Sequence, residues 1–219
     1  MKKIGLSTLL LVAGAIVASG CTSAEPVLMP TVPYYMPTSG ETETGGMYRS
    51  DGQRINIDQA TDIVEGYLRQ RNDPNLETKE ILEFAIYFYA EILEKDTGIS
   101  LFTALINPYT GFLYPQPHPD EVWNTRYETT LEMMWGAIPS LSIAPMTITE
   151  REAKEYAQEL IADSLPLAEV GEASLFYGYY TVRVIQDGEI YGLVSVNGYT
   201  GQSCYQSCHG QFVDIKELD

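Results

Sequence analysis

Cys204-Tyr205-Gln206-Ser207-Cys208-His209-Gly210 is the one stretch of this 219-residue chain in which soft ligands cluster. Three chemistries fit it. A disulfide suits an exported protein, whose thiols meet an oxidising environment. In a regular strand, however, residues four apart lie about 13 Å apart, against roughly 4.4–6.8 Å between bridged Cα atoms. The bridge therefore needs a sharp bend; otherwise the thiols stay reduced or pair between molecules. Covalent haem takes Cys-x-x-Cys-His, with two thioethers and a histidine on iron. Here the cysteines stand one residue further apart, although the final Cys208-His209 pair is in place. A metal ion would find two sulfurs and a nitrogen in Cys204, Cys208 and His209, with His118 as a fourth tetrahedral ligand. These residues name no particular ion. His118, between Pro117 and Pro119, reads equally well as a solvated loop histidine.

Catalytic constellations are harder to assemble. With His118 and His209 the only histidines, a Ser-His-Asp or Cys-His arrangement must use one of them. No nucleophile elbow, zinc-protease helix or phosphate-cradling glycine loop is present. The many acidic side chains read mainly as a solvated surface, on polar helix faces and in turns. The expectation is a protein that is not an enzyme and carries no cofactor.

The elements that must position these residues begin after an export signal. Lys2 and Lys3, the apolar run from Ile4 to Val17 and the small residues Ala18-Ser19-Gly20 precede Cys21, as in a bacterial-type lipobox. Residues 1–20 read as signal peptide, and Cys21 as the site of lipid attachment and the mature N-terminus. That run is short for a membrane span of about 20 residues. Residues 21–53, with Pro26, Pro30, Pro33, Pro37 and several glycines, read as a disordered tether. The chain is then exported and held in the cell envelope, with its membrane contact made by the lipid. Its formal net charge is −17; removing residues 1–20 takes two lysines and no acid, leaving 11 basic against 30 acidic side chains, or −19. Such a surface excludes nucleic acid as a partner.

Two stretches beyond the tether say nearly the same thing. Asn107-Pro108-Tyr109-Thr110-Gly111 recurs as Asn197-Gly198-Tyr199-Thr200-Gly201, each after a strand-like run. Upstream of the first, Ala60, Ile63, Val64, Tyr67 and Leu68 mark one helix face behind an Asn56/Gln59 capping box. Upstream of the second, Ala153, Tyr156, Ala157, Leu160 and Ile161 do the same behind Thr149/Glu152. Ile81–Leu93 and Leu101–Ile106 read as strands around an Asp96-Thr97-Gly98 turn. Phe176–Ile185 and Ile190–Val196 read as strands around an Asp187-Gly188 hairpin, and Gly201 permits a turn into a third. The expected fold class is α+β: two repeated units, 54–113 and 147–219, each one helix packed on a small antiparallel sheet. Residues 114–146, with Trp123, Tyr127, Leu131, Met133, Met134 and Trp135, read as a linker or strap between them.

This order of helix, hairpin and closing Asn-x-x-Thr-Gly turn resembles the PepSY domain. The resemblance rests on Ile190–Asn197 with Thr200 and Gly201, and more loosely on Leu101–Asn107 with Thr110 and Gly111. It implies a non-catalytic envelope protein that binds a protein, peptide or small ligand, in a protease-inhibitory or sensing role. The rival expectation is a redox, haem or metal carrier built on Cys204, Cys208 and His209.

Overall fold

The computed structural model describes residues 52–116, 123–126, 145–207 and 209–218. The export signal, Cys21, nearly all of the tether, His118, Cys208 and most of the 114–146 strap lie outside the described residues.

Helix α1 (Ile57–Arg71) starts where the sequence places a cap. Asn56 accepts from the Gln59 N–H at 2.9 Å and the Gln59 side chain accepts from the Asn56 N–H at 3.1 Å, which satisfies two orphan donors of the first turn. The helix ends at Asn72, left-handed at φ 53°, ahead of Pro74. Ala60, Ile63 and Val64 are buried and Tyr67 and Leu68 pack beside them. Helix α2 (Glu150–Ile161) carries the matching Thr149/Glu152 box. Its buried stripe is narrower than the spacing predicts: Ala153, Ala157 and Ile161 are enclosed, while Tyr156 and Leu160 stay 39% and 38% exposed.

The strands correct the expected fold class. β1 (Leu76–Phe84), β2 (Phe88–Glu94), β3 (Ser100–Ile106), β4 (Leu113–Pro115), β5 (Glu169–Phe176), β6 (Tyr179–Gln186), β7 (Glu189–Asn197), β8 (Ser203–Tyr205) and β9 (Phe212–Glu217) do not form two small antiparallel sheets. They form one nine-stranded sheet in the order β8-β7-β6-β5-β3-β2-β1-β9, with β4 on β3. It is mixed, because β3 meets β5 in parallel at Ser100 and Phe176. The physical reason lies at the edges. Two separate small sheets would leave open edges on marginal cores. Here β4 covers the Ala104–Ile106 end of β3, β5 meets its Ser100 end, and Lys79, Glu91 and Ser174 side chains tie the two parts together. The last strand then crosses back to pair with β1, from Glu80 opposite Glu217 to Phe84 opposite Phe212.

Two strand boundaries also differ. Ile81–Leu93 is broken by a turn at Ala85–Tyr87, closed by Phe84 N–H donating to the Tyr87 carbonyl at 2.9 Å. Phe176–Ile185 is broken at Tyr177-Gly178, where Gly178 takes φ 99°. β5 went unread because its pattern is polar and mostly solvated.

The sheet is curled. Leu82 and Phe84 of β1, Tyr89 of β2, Leu105 of β3 and Leu193 of β7 share one cluster with Phe212 and Ile215 of β9, so its two ends meet across an inner face. The outer face takes the helices. Phe88, Ala90, Ile92, Ala104 and Ile106 pack under α1, and Val182, Val184, Val194 and Val196 pack under α2. Neighbours such as Leu193 and Val194 thus serve opposite faces, as the pleat requires.

Both closing corners are built alike. Asn107 Oδ1 accepts from the N–H groups of Tyr109 at 2.9 Å and Thr110 at 3.0 Å. Asn197 Oδ1 accepts from Tyr199 at 2.9 Å and Thr200 at 3.0 Å. The glycines that follow sit at φ 68° and 71°, which a side chain adopts only with strain. Thr110 and Thr200 hydroxyls then accept from Phe112 and Gln202. Asn107→Ala or Asn197→Ala should each lower stability by about 1–2 kcal/mol in urea denaturation. Aspartate, with the same acceptor oxygen, should fall within about 0.5 kcal/mol of wild type.

Candidate functional site

The inner face of the curled sheet is polar to an unusual degree for a core. Strand register puts Glu80, Glu91 and Thr103 side by side across β1, β2 and β3. Ser174, Thr181, Ser195 and Cys204 form a second row across β5 to β8. Apart from half-buried Cys204, these side chains are buried. Two clusters grow from these rows, and they differ in one respect that decides their roles.

The first is a seam of paired charges where the two parts of the sheet meet. Ser174 Oγ donates to Glu91 Oε2 at 2.8 Å. Lys79 Nζ donates to Ser174 Oγ at 2.9 Å and to Glu91 Oε1 at 3.2 Å, and Ser100 Oγ donates to the same carboxylate. Arg183 donates to Glu80 and reaches Glu172 at 3.2 Å. Burial, and then the Glu91 carboxylate, push the Glu80 carboxyl above its usual range, with Arg183 opposing. For Lys79, burial pulls the pKa down but the surrounding carboxylates outweigh it and leave it raised. Both buried carboxylates have charged partners, so the seam is a structural clamp. The expectation that the acids decorate solvated helix faces and turns fails at Glu80, Glu91 and Glu94, which lie buried on strands. The apolar run around them hid the inner face.

The second cluster contains the residues the sequence singled out. β8 ends at Tyr205, and the chain leaves the strand through residues 206–211 before entering β9. Cys204 is half-buried on β8, while Cys208 is not described. Among the described residues no three of His, Cys, Asp and Glu stand close enough to hold a metal.

His209 is only 2% exposed. Its ring stacks on Phe84 at 5.1 Å and meets Tyr89 edge-on at 5.6 Å. The loop is pinned to the β1–β2 turn, with Ile86 N–H donating to the His209 carbonyl at 3.1 Å and Ala85 N–H to that of Gln211 at 2.7 Å. Gln206 is the hub beneath it. Its Oε1 accepts from Gln116 Nε2 at 2.8 Å and lies 2.9 Å from His209 Nε2, and its Nε2 donates to Ser195 Oγ at 2.5 Å. Because an amide oxygen only accepts, His209 Nε2 carries the proton. Burial lowers the His209 pKa to about 4, so the ring is neutral at pH 7. Nδ1 is then a bare acceptor, buried and without a hydrogen-bond partner among the described residues. Gln116 Oε1, Thr103 Oγ1 and Thr181 Oγ1 share that condition.

His209 also lines a cleft of about 520 Å³ between the β6–β7 hairpin, the 206–211 loop and the start of β9. Phe84, Ile190, Tyr191, Tyr205 and Phe212 supply its apolar surface, and Asp187 and Glu189 its charge. An acceptor left unpaired in a protein interior costs roughly 1–3 kcal/mol. A donor that reached Nδ1 from the cleft would recover that, whereas the carboxylates of the seam already have charged partners. The cleft is therefore the candidate binding site. Sequence reasoning reached His209 and Cys204 but missed Gln116, Gln206 and Ser195. Only the period-2 alternation of β7, which aims Ser195 inward beside Leu193, pointed to any of them. The corner residues Asn107, Thr110, Gly111, Asn197, Thr200 and Gly201 are turn-builders, and none lines the cleft.

No family model, curated protein or solved structure matches the chain.

Proposed function

We propose that the chain is a non-catalytic binding module of the cell envelope, held at a membrane by lipid on Cys21, with its ligand in the cleft lined by His209. The observation that carries the reading is the buried Nδ1 of a neutral histidine, without a hydrogen-bond partner among the described residues, on a side chain that borders an aromatic cleft. A neutral ring whose Nε2 proton is committed to Gln206 is an acceptor suited to binding. Among the described residues, no hydroxyl or thiol is hydrogen-bonded to either ring nitrogen of His209, as an activated nucleophile would be. The two Asn-x-x-Thr-Gly corners support the PepSY resemblance and its implied binding role. For the anchor, the lipobox-like run before Cys21 is the support; among the described residues no helix is long and apolar enough to cross a membrane.

Native mass spectrometry of the protein purified from its own envelope tests this. Expected are acyl chains on Cys21, absent from Cys21→Ser, and a retained small ligand or peptide lost from Ile190→Trp, which fills the cleft. A Soret band or a stoichiometric metal would replace this reading with a carrier built on Cys204, Cys208 and His209.

A further inference from the structure

We propose that the cleft selects an organic cation: a protonated primary or secondary amine carried on an apolar or aromatic body. This rests on the cleft being the binding site and names the chemistry it recognises. Three observations converge. Tyr191, 46% exposed, lines the cleft with the part-buried rings of Tyr205 and Phe212, and aromatic faces attract cations through their quadrupole. Asp187 and Glu189 on the hairpin supply two carboxylates, and among the described lining residues none is lysine or arginine. The local field therefore favours a cation and opposes an anion.

The third observation separates classes of cation. His209 lines the cleft, and its Nδ1 is a buried acceptor without a partner among the described residues; a ligand N–H or O–H that displaces the groups covering it would satisfy it. A protonated amine brings both the charge and the donor. A quaternary ammonium brings the charge alone, and a neutral alcohol the donor alone. Asp187 and Glu189 are exposed, so their share of the attraction weakens with salt.

The test uses the full chain in detergent, with phenethylammonium, phenethyltrimethylammonium, 2-phenylethanol and 3-phenylpropionate as probes, followed by calorimetry and by NMR of His209 and Tyr205. Phenethylammonium is expected to bind at least about tenfold tighter than the alcohol, to shift the His209 ring nitrogens and to weaken with added salt. Asp187→Asn with Glu189→Gln, both at exposed positions, should remove most of that advantage; asparagine suits the positive φ of 55° at position 187. Equal binding of the alcohol, or tighter binding of the carboxylate, overturns the cation inference and leaves the cleft a binding site. Tighter binding of the quaternary probe overturns the role given to Nδ1. If no probe shifts His209 or Tyr205, and Ile190→Trp leaves the natively retained ligand in place, the cleft reading falls as well.

Discussion

Removing residues 212–219 is expected to abolish the cooperative unfolding of the whole domain. β9 is last in the chain, yet it pairs with β1, the first strand, along Glu80 to Phe84. Phe212 and Ile215 lie in one cluster with Leu82, Phe84 and Leu193. Truncation deletes those two part-buried side chains, at about 1–2 kcal/mol each, together with the backbone hydrogen bonds of the β1–β9 pairing, at about 0.5–1.5 kcal/mol each, and bares β1 as an apolar edge. The sum rivals a total stability of roughly 5–15 kcal/mol. Calorimetry of the truncated chain should show no sharp transition, with dye binding to exposed apolar surface. A normal transition from residues 54–113 alone would mean that the single sheet is not the cooperative unit.

Arg183→Leu should cost about 3–5 kcal/mol at pH 7, the usual result of stranding a buried charge. Glu80 and Arg183 side chains are 4% and 15% exposed, so water does little to rescue either. The substitution leaves Glu80 beside Glu91 with Lys79 as the nearby cation. Glu80 already holds its proton more tightly than an ordinary glutamate. Losing Arg183 strengthens that hold, so the deficit of the variant should shrink as pH falls and Glu80 becomes neutral. Glu80→Gln, which keeps an acceptor for Arg183, should cost less, about 1–2 kcal/mol. Adding Glu80→Gln to Arg183→Leu should recover part of the loss, and urea denaturation of the four proteins closes the cycle. Simple additivity would mean that the two residues do not interact.

The sequence disclosed what is local and hid what is distant. Both helices were legible from their capping boxes and apolar spacing, because N-cap geometry is set within four residues. Both corners were legible because Asn-x-x-Thr-Gly closes its own hydrogen bonds. The Asp187-Gly188 turn was legible for the same reason, and Asp187 does take φ 55°. The joining of β3 to β5 was not, since a single parallel register pair leaves no pattern in either strand. The return of β9 to β1 links residues more than a hundred positions apart, beyond any periodicity. At the site, His209 stood out by residue type alone. Its partners are two glutamines and a serine, residue types that announce nothing until the sheet curls and brings β4, β7 and the 206–211 loop together.

Acid should expose the same histidine. The folded pKa of about 4 lies below the ordinary 6.5, so between those values the unfolded chain binds a proton that the folded chain refuses. This contribution to stability is complete at neutral pH and is lost on acidification through that window, on the order of 3 kcal/mol. Glu80 acts with the opposite sign, because its raised pKa favours the folded state as pH falls. The difference between wild type and His209→Phe isolates the histidine. The most direct measurement is nitrogen-15 NMR of the two imidazole rings across pH, with His118→Gln to assign them. For His209, the structure requires a neutral ring at pH 7 protonated on Nε2, a bare Nδ1, and titration near 4. A ring that titrates near 6.5, or that carries its proton on Nδ1, would contradict the buried acceptor on which the cleft depends.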